Sequence, residues 1–252
     1  MTAFFYVLTA IAAIVIGGFL GRTAYAFPRS SFREILRPCC SSCGRELPAK
    51  AIIPIAGVFL LRCRCPHCAE RQSLRVPLSE GIYALALLLL RAVYGSRYPF
   101  FLYAVLAALL LLLSLIDLDI KEVPHSLLLG VLLLGILTFV FSFFDFSESG
   151  TVWWEHLVGA FVISLPLFLL MMATGGVGGG DIKLMFVLGL LLGYKLVLLA
   201  FLFGVVLAAL VAIILHFAFG KGGKFELPLV PFLSVGTLIA LLCGEKVLAL
   251  FF

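Results

Sequence analysis

Residues 100–116 read FFLYAVLAALLLLLSLI, and residues 117–124 continue as DLDIKEVP. The first stretch has no charge, and as a helix at about 1.5 Å per residue it crosses most of a hydrocarbon layer about 30 Å thick. Its end meets three carboxylates, a lysine and a proline, the residues expected where an apolar helix leaves lipid. The rest of the chain repeats this pattern. Of its 252 residues, 63% are hydrophobic and 12% charged, and the mean hydropathy is +1.23. A soluble domain carries about 45–50% apolar and about 25% charged residues. Lipid is therefore the solvent, and the fold class is an all-α polytopic membrane protein. The net charge of +5 gives no reason to invoke nucleic acid as a partner.

Apolar windows predict spans at about 2–21, 79–96, 99–117, 126–145, 157–174, 183–195, 197–219 and 228–250. Eight spans result, or seven if the short sixth window is continuous with the seventh across Gly193-Tyr194-Lys195. No basic residue precedes the first run, which is longer than a signal-peptide core of about 7–15 residues. It reads as a retained first helix, 1–21, followed by a loop, 22–78, and a transmembrane core, 79–252.

Basic residues set the orientation. Ten of the 18 Lys and Arg lie between Arg22 and Arg75, in one connection, and positive loops stay in the cytoplasm. The N-terminus is then outside. Alternation puts Lys121, Lys183, Lys221 and Lys224 inside, with Asp145, Glu148, Trp153, Trp154 and Glu155 on the opposite border.

Six of the seven cysteines fall in that loop. Cys40-Ser-Ser-Cys43 and Cys65-Pro-His-Cys68 form two C-x-x-C knuckles, able to set four thiolates around Zn²⁺. A cytoplasmic loop disfavours disulfides, so metal is the better reading. Cys39 and Cys63 could replace their neighbours, free thiols or a redox pair are the plainer alternatives, and His67 reads as a turn residue. With all four positions filled by protein, the zinc would be structural.

Two carboxylates stand at one depth. Asp117 ends the third span, and Asp181 follows the glycine run Gly175-Gly176-Val177-Gly178-Gly179-Gly180. An acid at the edge of the hydrocarbon is costly to keep charged and marks a functional position. Two facing acids share a proton, the arrangement of aspartic peptidases. Gly178 and Gly180 would let backbone approach an extended substrate. Asp119 rivals Asp117, and the two point to nearly opposite sides of a helix. Lys183 reads as a snorkelling residue or a base. His125, His156 and His216 read as helix-end or packing residues.

These motifs together resemble the type IV prepilin peptidases. Gly178-Gly179-Gly180-Asp181-Ile182-Lys183-Leu184 is similar to that family's glycine–aspartate motif, and Asp117, seven residues before Pro124, stands where its other catalytic aspartate does. Gly17-Gly18-Phe19-Leu20-Gly21 through Tyr25 and Pro28 resembles its N-terminal segment, and Arg75-Val76-Pro77-Leu78-Ser79-Glu80 the stretch after its knuckles. The resemblance implies an inner-membrane endopeptidase that removes short basic leaders from prepilins or pseudopilins at the cytoplasmic face. Many members also methylate the new N-terminal residue from S-adenosylmethionine. Gly21, Ala26, Ser41, Cys63 and Val76 depart from the family pattern, all within the region associated with methyl transfer. Glu80 is a candidate for that step or a helix-start carboxylate. The contrasting reading is a non-enzymatic membrane assembly or transport protein with a cytoplasmic zinc module.

Overall fold

The computed structural model describes residues 2–27, 40, 43, 45–46, 64–70, 74–144, 152–176, 178–219 and 227–251. Cys39, Cys63, Asp145, Glu148, Lys221 and Lys224 lie outside the described residues. The chain forms two compact units, Met1–Gly95 and Ser96–Phe252.

The first unit pairs α1 (Thr2–Ala26) with α2 (Arg75–Tyr94). They touch through small residues. A side chain on Gly17 would come within 2.8 Å of the Glu80 Cα, and Gly18 and Gly21 are closed against Glu80 and Ser79 in the same way. Such contact lets helix backbones approach where no hydrophobic drive separates helix from lipid. The Ser79 hydroxyl donates to the Gly17 carbonyl at 3.0 Å, and Glu80 is buried. Further along, the Arg91 guanidinium lies 5.8 Å from the Phe5 ring centre and 5.5 Å from that of Tyr6. The two sequence motifs of this region are thus one packing surface.

The second unit contains α3 (Tyr98–Ile120), α4 (His125–Phe143), α5 (Trp153–Val162), α6 (Ser164–Thr174), α7 (Gly179–Phe219) and α8 (Val230–Phe251). α3 starts with Pro99 in its first turn and stops at Lys121, which adopts the left-handed conformation and returns its N–H to the Asp117 carbonyl. Pro124 then opens α4, since proline lacks the N–H that a helix interior needs but fits its start. α5 and α6 form one span, Trp153–Thr174, broken at Ile163 just before Pro166. Gly175 ends it at φ 65°, a conformation glycine takes without steric cost.

α7 has 41 residues, and one straight rod of that length would run about 60 Å, twice the hydrocarbon thickness. Gly193 breaks it, with φ 77° and ψ 168°. Packing shows that the two legs run in opposite directions. Before the break, Gly189 closes on Gly159, and Gly135 lies 3.4 Å from Leu190 and Leu191 by its absent Cβ. After the break, Gly236 of α8 rests on Ala200 and Gly204, and Gly244 lies against Leu196. α8 therefore runs antiparallel to the second leg. It is also antiparallel to α3, because Ser114 donates to Ser234 at 2.8 Å and the Val230 N–H donates to Asp117. Val230 and Asp117 are at one end of the unit, and Gly193 is at the other. The residues joining Phe219 to Val230 reach at most about 40 Å when extended, too short to return from the tip of a straight α7.

At the Gly193 end, Lys195 pairs with Glu155 at 2.8 Å, and Trp154 stacks on Tyr194. Nearby, buried His156 bonds the Ser142 hydroxyl at 3.0 Å and the Leu190 carbonyl at 2.9 Å. Among the described residues six helices are long and apolar enough to cross a membrane, and Val230–Gly244 is a shorter apolar helix. The windows expected from sequence correspond to these helices within a few residues. The pair expected at 183–195 and 197–219 corresponds to the two legs of α7, divided at Gly193.

Candidate active site

Asp117 occupies the last turn of α3, where its carboxyl faces inward at 5% exposure. Two residues on, Asp119 is exposed. This difference follows from the roughly 100° turn per residue, which puts neighbours two apart on opposing faces. The Asp117 Oδ2 accepts the N–H of Val230 at 3.2 Å. Val230 is the first residue of α8, so its N–H is one of those left without an intrahelical acceptor, at the positive end of the helix dipole.

Asp181 lies in the first turn of α7, again where a helix end favours a negative group. The two carboxyls, from different helices, are close enough to interact electrostatically. Glycine makes the approach possible. A Cβ on Gly180 would lie 2.6 Å from Val123 Cγ2 and 2.9 Å from Val123 Cβ. Val123 is β-branched and stiff at χ1, so it cannot simply swing aside. The start of α7 thereby sits directly on the segment that follows Asp117. A Cβ on Gly178 would stand 2.9 Å from Asp181 Oδ2, whereas one on Gly179 meets nothing within 4 Å. Lys183 is exposed, and its Nζ lies 3.4 Å from His125 Nε2 at the start of α4.

A second constellation belongs to the first unit. The Sγ atoms of Cys40, Cys43, Cys65 and Cys68 all lie within 4.8 Å of one another. Cys40 and Cys68 are 3.6 Å apart, and Cys43 and Cys65 3.9 Å. Four thiolates placed tetrahedrally about 2.3 Å from Zn²⁺ stand about 3.8 Å apart, so the cluster fits this ion. Each knuckle closes in the same way, with the Cys40 N–H on the Arg45 carbonyl and the Cys65 N–H on that of Glu70, both at 2.9 Å. The His67 N–H points to the Cys65 sulfur at 3.5 Å. His67 is therefore part of the turn and not of the sulfur set.

The sequence reading missed Val230, because a backbone donor leaves no side-chain signature. Pro228 and Pro231, which bracket the start of α8, were the available signal.

Family models match most of the chain. The type IV leader peptidase family covers residues 104–213, and the bacterial peptidase A24 N-terminal domain covers residues 11–94. Similar proteins include the prepilin leader peptidase/N-methyltransferase of Bacillus subtilis (strain 168), 27% identical over 96% of this chain and 95% of its own length. That of Pseudomonas putida is 29% identical over 98% of this chain and 93% of its own. That of Burkholderia pseudomallei (strain K96243) is 30% identical over 82% and 67%. No solved structure matches the chain.

Proposed function

The chain belongs to the type IV leader peptidase family, and from that premise we propose that it is an intramembrane aspartic endopeptidase with Asp117 and Asp181 as its catalytic pair. Its substrates are prepilins or pseudopilins, and it removes their leaders at the cytoplasmic face of the membrane. The observation that carries this reading is that two carboxyls from separate helix ends lie within electrostatic reach of each other, one of them buried.

Two acids within electrostatic reach titrate as a pair, one ionised while the other keeps its proton. The Val230 N–H stabilises negative charge on Asp117, which makes Asp117 the base and Asp181 the acid. Asp117 takes a proton from water as the oxygen attacks the scissile carbonyl carbon. Asp181 gives its proton to the carbonyl oxygen, forming a neutral tetrahedral diol. On collapse, the proton held by Asp117 passes to the leaving nitrogen, the C–N bond breaks, and one diol proton returns to Asp181. Gly178 leaves the Asp181 carboxyl clear of a side chain and Gly180 lets α7 seat on Val123, while Asp119 and Lys183 are supporting groups at the rim.

Cys40, Cys43, Cys65 and Cys68 would hold one structural zinc, which supplies no chemistry to cleavage. The names of the relatives include N-methyltransferase, and transfer from S-adenosylmethionine to the new N-terminus is the second activity we assign. The chain then crosses the membrane eight times, with its N-terminus outside and both aspartates at the cytoplasmic edge. The reversal at Gly193 supports that count.

Asp117→Asn and Asp181→Asn should each abolish conversion of a prepilin to its faster-migrating product while the protein still inserts in the membrane. Full cleavage by Asp181→Asn would remove the assignment. Cleavage retained by Asp117→Asn alone would move the role to Asp119.

A further inference from the structure

Between α4, α5–α6 and the first leg of α7 lies an apolar cavity of about 540 Å³. The break at Ile163 opens it. α5 is held on α7 by the closure of Gly159 on Gly189, whereas α6, after the break, packs on α7 far less closely. The wedge is separate from the aspartates. At about 100° per residue, its α7 residues Lys183, Phe186 and Val187 lie on the face of the helix turned away from Asp181. Leu128 and Leu132 wall it on α4, and Leu165 and Phe168 on α6. Deeper in, the Phe161 and Phe186 rings meet edge to face with centres 5.4 Å apart. The one polar side chain below the mouth, Ser164, donates its hydroxyl to the Ala160 carbonyl. Leu129, Phe161, Leu165 and Phe168 are each at least 44% exposed, so the wedge opens sideways to lipid.

The mouth has the opposite chemistry. His125 is the first residue of α4, and its Nε2 lies 3.4 Å from Nζ of the exposed Lys183. Lys183 forms no ion pair with any described residue. No side chain caps α4, so its first N–H groups add the positive end of a helix dipole to the two bases.

We propose that this is a binding site for one anionic glycerophospholipid, its phosphate held by Lys183, His125 and the start of α4, and one acyl chain laid in the apolar wedge. Basic groups at the membrane edge directly above an apolar slot match the order of parts in a phospholipid, and such pockets between helices take anionic headgroups. From His125 to Leu132, α4 rises about 10 Å, against about 15 Å for one leaflet of the hydrocarbon, so the wedge takes most of one chain. A run of methylenes needs no hydrogen-bond partner, and the wall offers none. A peptide segment in its place gains nothing from the bases unless it also carries an acid at that depth. The site requires a bilayer around the chain and is independent of the peptidase activity.

The full-length protein in mild detergent can be titrated with phosphatidylglycerol, and with phosphatidylcholine of the same acyl chains, whose own cation opposes Lys183. Native mass spectrometry counts the lipids retained. One phosphatidylglycerol should bind with at least about fivefold higher affinity than phosphatidylcholine. The double variant Lys183→Gln/His125→Gln, altered at two exposed positions, should lose that preference, and Leu165→Trp should weaken both lipids. Equal affinity of the parent protein for the two lipids, or a preference that survives in the double variant, would overturn the proposal. A phosphatidylglycerol carrying a photoreactive diazirine in mid-chain fixes the location. Its label should concentrate on Leu132, Phe161 and Phe186. Label spread evenly onto other exposed apolar positions, such as Leu202 and Leu210, would reject the site. Displacement of the label by excess prepilin would reject it too, by showing that a peptide takes the wedge.

Discussion

At the residue scale, the two carboxyls differ in their surroundings. Asp117 is buried and accepts a helix-terminal N–H, and Asp181 has no such donor from another element among the described contacts. The charged groups that reach Asp117 are Asp181 on α7 and Lys121 on its own turn. Val230→Pro removes the N–H at a helix position that tolerates proline, and Val230→Ala controls for the loss of the buried valine side chain. A hydrogen bond to a charged group contributes about 1.5–3 kcal/mol, so kcat should fall roughly 10- to 100-fold in the proline variant. The sign of the pH effect follows. Without the donor the pair holds its last proton more tightly, so the acid limb of the pH–rate profile should move to higher pH. A profile identical to that of Val230→Ala would reject Asp117 as the base.

At the scale of elements, the start of α7 shows why neighbouring glycines are not equivalent. Gly180 faces Val123 with no room for a methyl group, and Gly179 faces open space. Gly180→Ala should therefore push α7 off the segment after Asp117 and lower kcat at least about tenfold, as small displacements of reacting groups do. Gly179→Ala should stay near the parent value in the same cleavage assay. In the knuckle pair, the protein should carry about one zinc per chain, and Cys40→Ser or Cys65→Ser should lower that content by elemental analysis. Both sites were visible in sequence for the same reason. Asp117, Asp181 and the cysteines are side chains whose chemistry is out of place in an apolar chain, and position alone exposes them. What sequence could not reveal are contacts made by absent side chains or by backbone. The closure of Gly189 on Gly159, the seat of Glu80 on Gly18 and the Val230 donor are of this kind. Nor does a window of hydropathy distinguish one long helix from two, because a single backbone angle at Gly193 makes that difference.

At the scale of the whole molecule, that angle decides how many times the chain crosses. Glu155 is 8% exposed, and its ion pair with Lys195 ties the tip of the α7 hairpin to the start of α5. The tip therefore lies on the same side as Trp153 and Trp154, aromatic residues of the kind that collect at a membrane interface. If the aspartates are cytoplasmic, the tip is outside and Phe219 has returned to the cytoplasm. Alkaline phosphatase, which is active only after export, reports this directly. Fusions truncated after Ser96 and after Lys195 should be active, whereas those truncated after Lys121, Gly176 and Phe219 should be inactive. The Lys195 and Phe219 fusions together are decisive. Activity after Phe219 would mean that α7 crosses without reversing, which would separate Val230 from Asp117 by the thickness of the bilayer and break the contact on which the base assignment depends.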